Sequence, residues 1–268
     1  MAISIVQNTK NTSAYQVQPL VATLPAKTTA GSRIVVVIEA QKSGYPFNVG
    51  NISANEPAPI VTDDKGNIYT LVDSLVVLSA ENLTSPPTSP ISVQPDASGY
   101  FPSAYIYIAN SGSAATTGTQ NIAVFASYPD EFTSPLQPGG NLASPPVVGG
   151  RPIFDGGTLV QVFEVAGLVT GIDHHGHVSS NYATLGAGLI TTSGAAIIFE
   201  IGILIDSSAI APTGVTSSPP TTSQYAQTLC GGSSHYALQS TIVAGAVKNG
   251  GFSNALLYAG GVVVASFE

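Results

Sequence analysis

Three of the chain's four histidines fall within the short run Asp173-His174-His175-Gly176-His177. Imidazole is a common ligand for zinc and other transition metals. Side chains alternate between faces in an extended segment, so His175 and His177 are expected on one side of it. His174, His175 and His177 are therefore the candidate metal ligands, with a transition metal as the candidate cofactor. One pair cannot fill a coordination shell, so further ligands would come from Asp173, His235 or symmetry-related copies of the chain. The competing reading is a solvated polar loop held by hydrogen bonds.

Carboxylates offer a second chemistry. Glu39, Glu164 and Glu200 each sit inside an apolar run. A glycosidase needs two carboxyl groups about 5 to 10 Å apart, one protonated and one ionised. Alternation groups Glu39 with Val35 and Val37, Glu164 with Val160 and Val162, and Glu200 with Ile198 and Leu204. No aromatic platform for a sugar accompanies them, since Trp is absent and aromatics are 7% of the chain. The run Asp63-Asp64-Lys65-Gly66-Asn67 has oxygens suited to calcium but lacks the EF-hand spacing and its downstream Glu, and it reads as a hairpin turn. Cys230 is the sole cysteine, which excludes an intrachain disulfide and fits a small buried residue. There is no serine nucleophile elbow, phosphate loop or HExxH zinc motif. The chain is thus expected to have no catalytic residues and not to be an enzyme.

The elements that must position these groups are strands. Arg33 to Ala40, Ala104 to Ala109, Thr158 to Val165, Ala195 to Ile205 and Gly261 to Phe267 are rich in Val, Ile, Tyr and Phe. Turn formers bound each run, and no segment reads as an amphipathic helix. Ten to twelve strands are expected, in an all-β, two-sheet antiparallel β-sandwich of jelly-roll or Ig-like type. Residues 1–268 form a single sandwich domain, with 1–30 as an N-terminal arm or edge-strand segment. Arg33 to Ile38 is apolar on both faces and belongs at the centre. A tight hairpin is expected around Asp64 to Asn67, and a second hairpin with a longer connection where AYIYIAN from Ala104 and QNIAVFASY from Gln120 flank the turn SGSAATTG. Long Pro-rich connections run from Asn82 to Pro102 and from Asp130 to Pro152, the latter with Pro135, Pro138, Pro145, Pro146 and Pro152. Loops of that length are usually functional or touch a partner.

Only 8% of residues are charged, against about 25% in an ordinary soluble domain. Solvent-facing positions must then be filled by Ser, Thr, Asn, Gln and Gly, a surface that packs against other subunits without stripping water from charges. The formal net charge of -8, with seven basic residues, argues against nucleic acid, whose phosphates call for Lys and Arg. Neither a signal peptide nor a membrane span of about 18 apolar residues is read.

The order of four motifs resembles a β-sandwich module, Ig-like or jelly-roll-like, of bacteriophage virion proteins and bacterial surface proteins. The motifs are GSRIVVVIEA from Gly31, VTDDKGNIYT from Val61, AYIYIANSGSAATTGTQNIAVFAS from Ala104 and VFEVAGL from Val162. The family's customary Trp is missing here. The resemblance implies a structural or adhesive, non-enzymatic role. The leading expectation is a virion subunit, such as a capsid decoration, head-fibre or tail-associated protein. Its partners would be copies of itself and other virion subunits, with assembly in a host cytoplasm. The alternatives are a carbohydrate-binding adhesin, contacting a host surface glycan through Tyr-bearing stretches at Ser98 to Tyr105 or Gln224 to Tyr236, and a glycosidase using the strand glutamates.

Overall fold

The computed structural model describes residues 2–13, 19–43, 58–76, 100–109, 122–127, 147–148, 151–152, 158–169, 171–180, 184–186, 188–192, 194–204, 211–212, 222–227, 232–239, 251–253 and 260–268. These residues contain strands and no helix. The first half carries β1 (Ser4–Ser13), β2 (Leu20–Thr23), β3 (Arg33–Ser43), β4 (Ile60–Asp63), β5 (Tyr69–Val76), β6 (Tyr100–Ala109) and β7 (Ala123–Ser127). Then come β8 (Val147–Val148), β9 (Arg151–Pro152), β10 (Thr158–Ala166), β11 (Ile172–Ser180), β12 (Thr184–Leu185) and β13 (Ala196–Leu204). The chain continues through β14 (Ala211–Pro212), β15 (Thr222–Gln227), β16 (Gly232–Gln239), β17 (Phe252–Ser253) and β18 (Gly260–Phe267).

Two five-stranded antiparallel sheets form the centre, ordered β1-β10-β3-β6-β5 and β11-β18-β13-β16-β15. Val35, Val37, Ile106 and Phe163 of the first sheet pack against Phe199, Ile201, Val263 and Phe267 of the second. The Phe199 ring meets Phe163 at 5.0 Å and Phe267 at 5.9 Å between centroids. Tilted and edge-on pairs of this kind add about 0.5–1.5 kcal/mol each beyond the area they bury. The all-β sandwich expected from the strand runs is thus observed.

More layers are present than the two expected. A three-stranded sheet, β2-β7-β4, covers the outer face of the first central sheet. There Leu20, Ala22 and Val124 meet Ile34, Val36, Ile38 and Val162. This explains why β3 is apolar at every position from Ile34 to Ile38: odd residues face one layer and even residues another. A smaller sheet, β12-β17-β14, lies by the second central sheet, with Phe252 against Val262. Gly202 of β13 lets that ring approach, because a Cβ there would come within 2.7 Å of Phe252 Cγ.

Neither reversal expected as a hairpin joins paired strands. β4 pairs with β7 and β5 with β6, so the Asp64 to Asn67 turn carries the chain from the outer sheet into a central one. The connection from β6 to β7 makes the opposite crossing. Turn-forming residues specify that a chain reverses, whereas cross-strand packing decides which sheet receives the returning strand. β1, from the segment expected as an arm or an edge strand, is the edge strand of the first central sheet and pairs with β10 from Ser4 to Ser13. Tyr100 to Pro102, the end of the first Pro-rich stretch, is already strand and pairs with β3. Most of that stretch and of Asp130 to Pro152 lies outside the described residues. Among the described residues no helix is long and apolar enough to cross a membrane.

Candidate functional site

The histidine run is not a loop but β11, an edge strand paired along its length with β18. His175 lies opposite Ala265 and His177 opposite Val263, both of which face the first central sheet. The two imidazoles therefore share a side, as alternation predicts, and reach across to the edge strand of the other sheet. There Asp73 of β5 receives both. His175 Nδ1 is 3.0 Å from Asp73 Oδ2 and His177 Nδ1 is 2.7 Å from Asp73 Oδ1.

A bulge aims Asp73 at them. The register of β5 against β6 slips between Leu71 and Asp73, so that Asp73 lies opposite Ile106, on the face turned to the second sheet. Regular alternation from Thr70, itself opposite Ile108, would put Asp73 on the other face; inserting one residue re-aims it. The Asp73 side chain is 9% exposed, while each imidazole is 51% exposed. The result is a clasp that spans the open edges of the two central sheets.

His174 does not join it. Its ring turns to Asp173, with Nδ1 2.8 Å from Oδ1. Asp173 Oδ2 accepts a hydrogen bond from Ser266 Oγ at 3.1 Å, and the same hydroxyl accepts from His174 N. Asp173 is thus committed to the opposite face of β11. His235 lies opposite Glu200 on β16, three strands from β11, or about 14 Å at the usual strand spacing. Among the described residues no group of three or more His, Cys, Asp and Glu side chains is arranged to hold a metal ion.

The three strand glutamates are fully buried, and they lie in three different interlayers. Glu39 shares the face of Val35 and Val37, between the central sheets. Glu164 shares the face of Val160 and Val162, toward the outer β2-β7-β4 layer. Glu200 shares the face of Ile198 on the far side of the second central sheet, where Gly251 N donates to Oε1 at 3.4 Å. Glu164 lies opposite Ile34 and Glu39 opposite Leu159, so the two are offset by five residues, about 16 Å along the strands. That separation does not match the spacing of a glycosidase pair.

Glu164 instead works as a rivet. Its Oε1 accepts from the Ser32 hydroxyl at 2.6 Å and from Thr29 N, and its Oε2 accepts from Gln7 Nε2 at 2.6 Å. Three donors from β1 and the segment before β3 thus converge on one carboxylate. Asp63 does similar work in its turn. Its Oδ1 accepts from Lys65 N at 2.9 Å and Asn67 N at 3.0 Å, and Oδ2 from Tyr69 OH at 2.9 Å. Gly66 supplies the required left-handed residue, with φ of 78°. These contacts make an Asx turn, and both Asp63 oxygens are taken up by protein donors. Burial raises the neighbouring Asp64 carboxyl, but hydrogen bonds from Lys65 and the Ala123 amide outweigh it and hold the group below its ordinary value. Burial, reinforced by Asp63, pushes the Tyr69 phenol well above its ordinary value. Burial does the same to Tyr107, whose hydroxyl donates to Pro59 O.

The described residues of the Tyr-bearing stretches expected to meet a glycan are strands as well. Tyr105 is 1% exposed within β6, so it is core and not a sugar platform. Gln224 to Tyr236 spans β15 and β16, which pair with each other. Cys230 lies outside the described residues. The sequence reading missed Asp73 and Ser266. An Asp in the apolar run of Leu71 to Val76 was the visible signal for the first, and nothing marked the second.

No family model, curated protein or solved structure matches the chain.

Proposed function

We propose that this chain is a non-enzymatic structural subunit of a phage-like particle, acting through protein–protein contacts as a capsid decoration, head-fibre or tail-associated protein. The observation that carries the reading is how the chain deploys its carboxylates. Only 15 residues are acidic, and Glu39, Glu164 and Glu200 among them are fully buried. Asp73 and Asp173 are almost as enclosed, at 9% and 5% side-chain exposure. Acidic groups are thereby withdrawn from a surface already poor in charge. Such a surface can be covered by a neighbour at low desolvation cost. The motif order that resembles virion and surface modules supports the same reading, and symmetric homo-oligomers are its natural product.

Sedimentation velocity of the purified chain tests it. A concentration-independent oligomer, or co-sedimentation with a particle assembled from the neighbouring gene products, is the expected result. A strict monomer that joins no particle but is retained on a glycan array would transfer the reading to an adhesin. Polysaccharide cleavage abolished by Glu39→Gln, Glu164→Gln or Glu200→Gln in a folded protein would overturn the non-enzymatic assignment.

A further inference from the structure

We infer that the four long open edges of the central sheets are guarded against pairing with an edge of a second copy, and that a β-bulge is the guard on each. Among the described residues β1, β5, β11 and β15 are the outermost strands of the two sheets, at 10, 8, 9 and 6 residues. Each slips register once against its inner neighbour: between Ile5 and Gln7, Leu71 and Asp73, Ile172 and His174, and Ser223 and Tyr225. The four interior pairings, β10 with β3, β3 with β6, β13 with β16 and β13 with β18, run without a slip. The edges of the smaller sheets, β2, β4, β8, β9, β12 and β14, are regular, but none exceeds four residues. Irregularity thus accompanies the long edges and spares the interior.

An edge strand presents a row of N–H and C=O groups that can template another strand, and shortness, charge or proline commonly blunts it. These four edges are long, contain no Pro, and belong to a chain that is only 8% charged. β1 carries a single charged residue, Lys10, and β15 carries none. A bulge serves instead. It leaves one residue out of the ladder, bends the strand and increases its local twist, so a regular partner strand cannot follow it. In β5 the bulge also aims Asp73. In β1 the extra residue is Val6, which is 44% exposed. Its neighbours Ile5 and Gln7 lie opposite Val165 and Glu164, consecutive positions that a regular strand would pair in the same way. Removing Val6 therefore straightens this edge without taking a buried side chain from the core. Assembly of the kind proposed above must then use surfaces other than these edges.

The test compares the full chain with a variant lacking Val6, by sedimentation velocity and amide hydrogen exchange over a concentration series. In the wild type the amides of β1, β5, β11 and β15 should exchange at rates independent of concentration. The Val6 deletion should keep the circular dichroism spectrum, sediment faster than the wild type, and gain protection in β1 that grows with concentration. A folded deletion variant that sediments like the wild type, with unchanged exchange in β1, would overturn the inference. Wild-type edge amides whose protection grows with concentration would overturn it too, and that arm decides the matter even if the deletion unfolds the protein. A wild-type monomer would count against the structural-subunit reading and leave the guard intact, whereas a wild-type oligomer joined at an edge strand would do the reverse.

Discussion

Two carboxylates, Glu164 and Asp73, each tie together segments far apart in sequence, yet they sit in opposite surroundings. Glu164 is fully buried and accepts from an amide side chain, a hydroxyl and a backbone N–H. Every one of those donors stays neutral at any ordinary pH. Asp73 lies at the edge of the sandwich and accepts from two imidazoles that are half exposed. Each imidazole has a second nitrogen. The interior seam ties two layers at a fully buried carboxylate, whereas the edge seam joins two sheet edges beside solvent. Burial and the identity of the donors make that difference, since both anchors are carboxylates.

The comparison breaks most visibly at Glu164. Glu164→Ala removes the acceptor shared by Gln7, Ser32 and Thr29; Ser32 keeps Thr29 O and Gln7 keeps Ala26 O and Lys27 O, so the loss of the Thr29 N–H partner and of the cross-link should cost about 1–3 kcal/mol. Urea unfolding followed by fluorescence reads this as a lower midpoint, and Glu164→Gln should lose less because one acceptor remains. A wild-type midpoint in the alanine variant would show that the seam is not structural.

Steric packing gives a second interior case with no polar group involved. Gly202→Ala places a Cβ against the Phe252 ring, and overpacking of this kind costs about 1–3 kcal/mol. A thermal melt should fall accordingly, and Phe252→Leu in the same chain should recover part of the loss.

Alkali sharpens the contrast between neutral interior donors and the edge. Tyr69 and Tyr107 have phenols raised above the ordinary value of about 10. Above that pH the unfolded chain loses protons that the folded chain retains, so stability falls as pH rises. The slope approaches about 1.4 kcal/mol per pH unit for each tyrosine. Below pH of about 10 both states are protonated and the contribution is complete. A titration at 295 nm should show these two phenols ionising only with unfolding. Their early, reversible ionisation in the folded protein would contradict the buried placement.

The smallest effect belongs to the edge. Asp73→Asn should change stability by about 1 kcal/mol or less, as half-exposed pairs do. A loss as large as that of Glu164→Ala would erase the distinction between the two seams.

Local alternation was legible in the sequence because it depends only on neighbours along one strand. It correctly put His175 beside His177, Glu39 beside Val35 and Val37, and Glu164 beside Val160 and Val162. The β-forming runs, bounded by turn formers, likewise pointed to an all-β fold. Alternation names the companions on a face but not the layer that face meets. Glu39 and Glu164 therefore looked like a potential pair until sheet stacking assigned them to different interlayers. The turn at Asp64 to Asn67 looked like a hairpin until β4 and β5 were found in separate sheets. Asp73 could not be matched to His175, 102 residues away, because a bulge in β5 and the meeting of two sheet edges create the contact. Side-chain alternation is a property of the single strand, whereas layer, edge and bulge are settled by the free energy of packing strands that are distant in the chain.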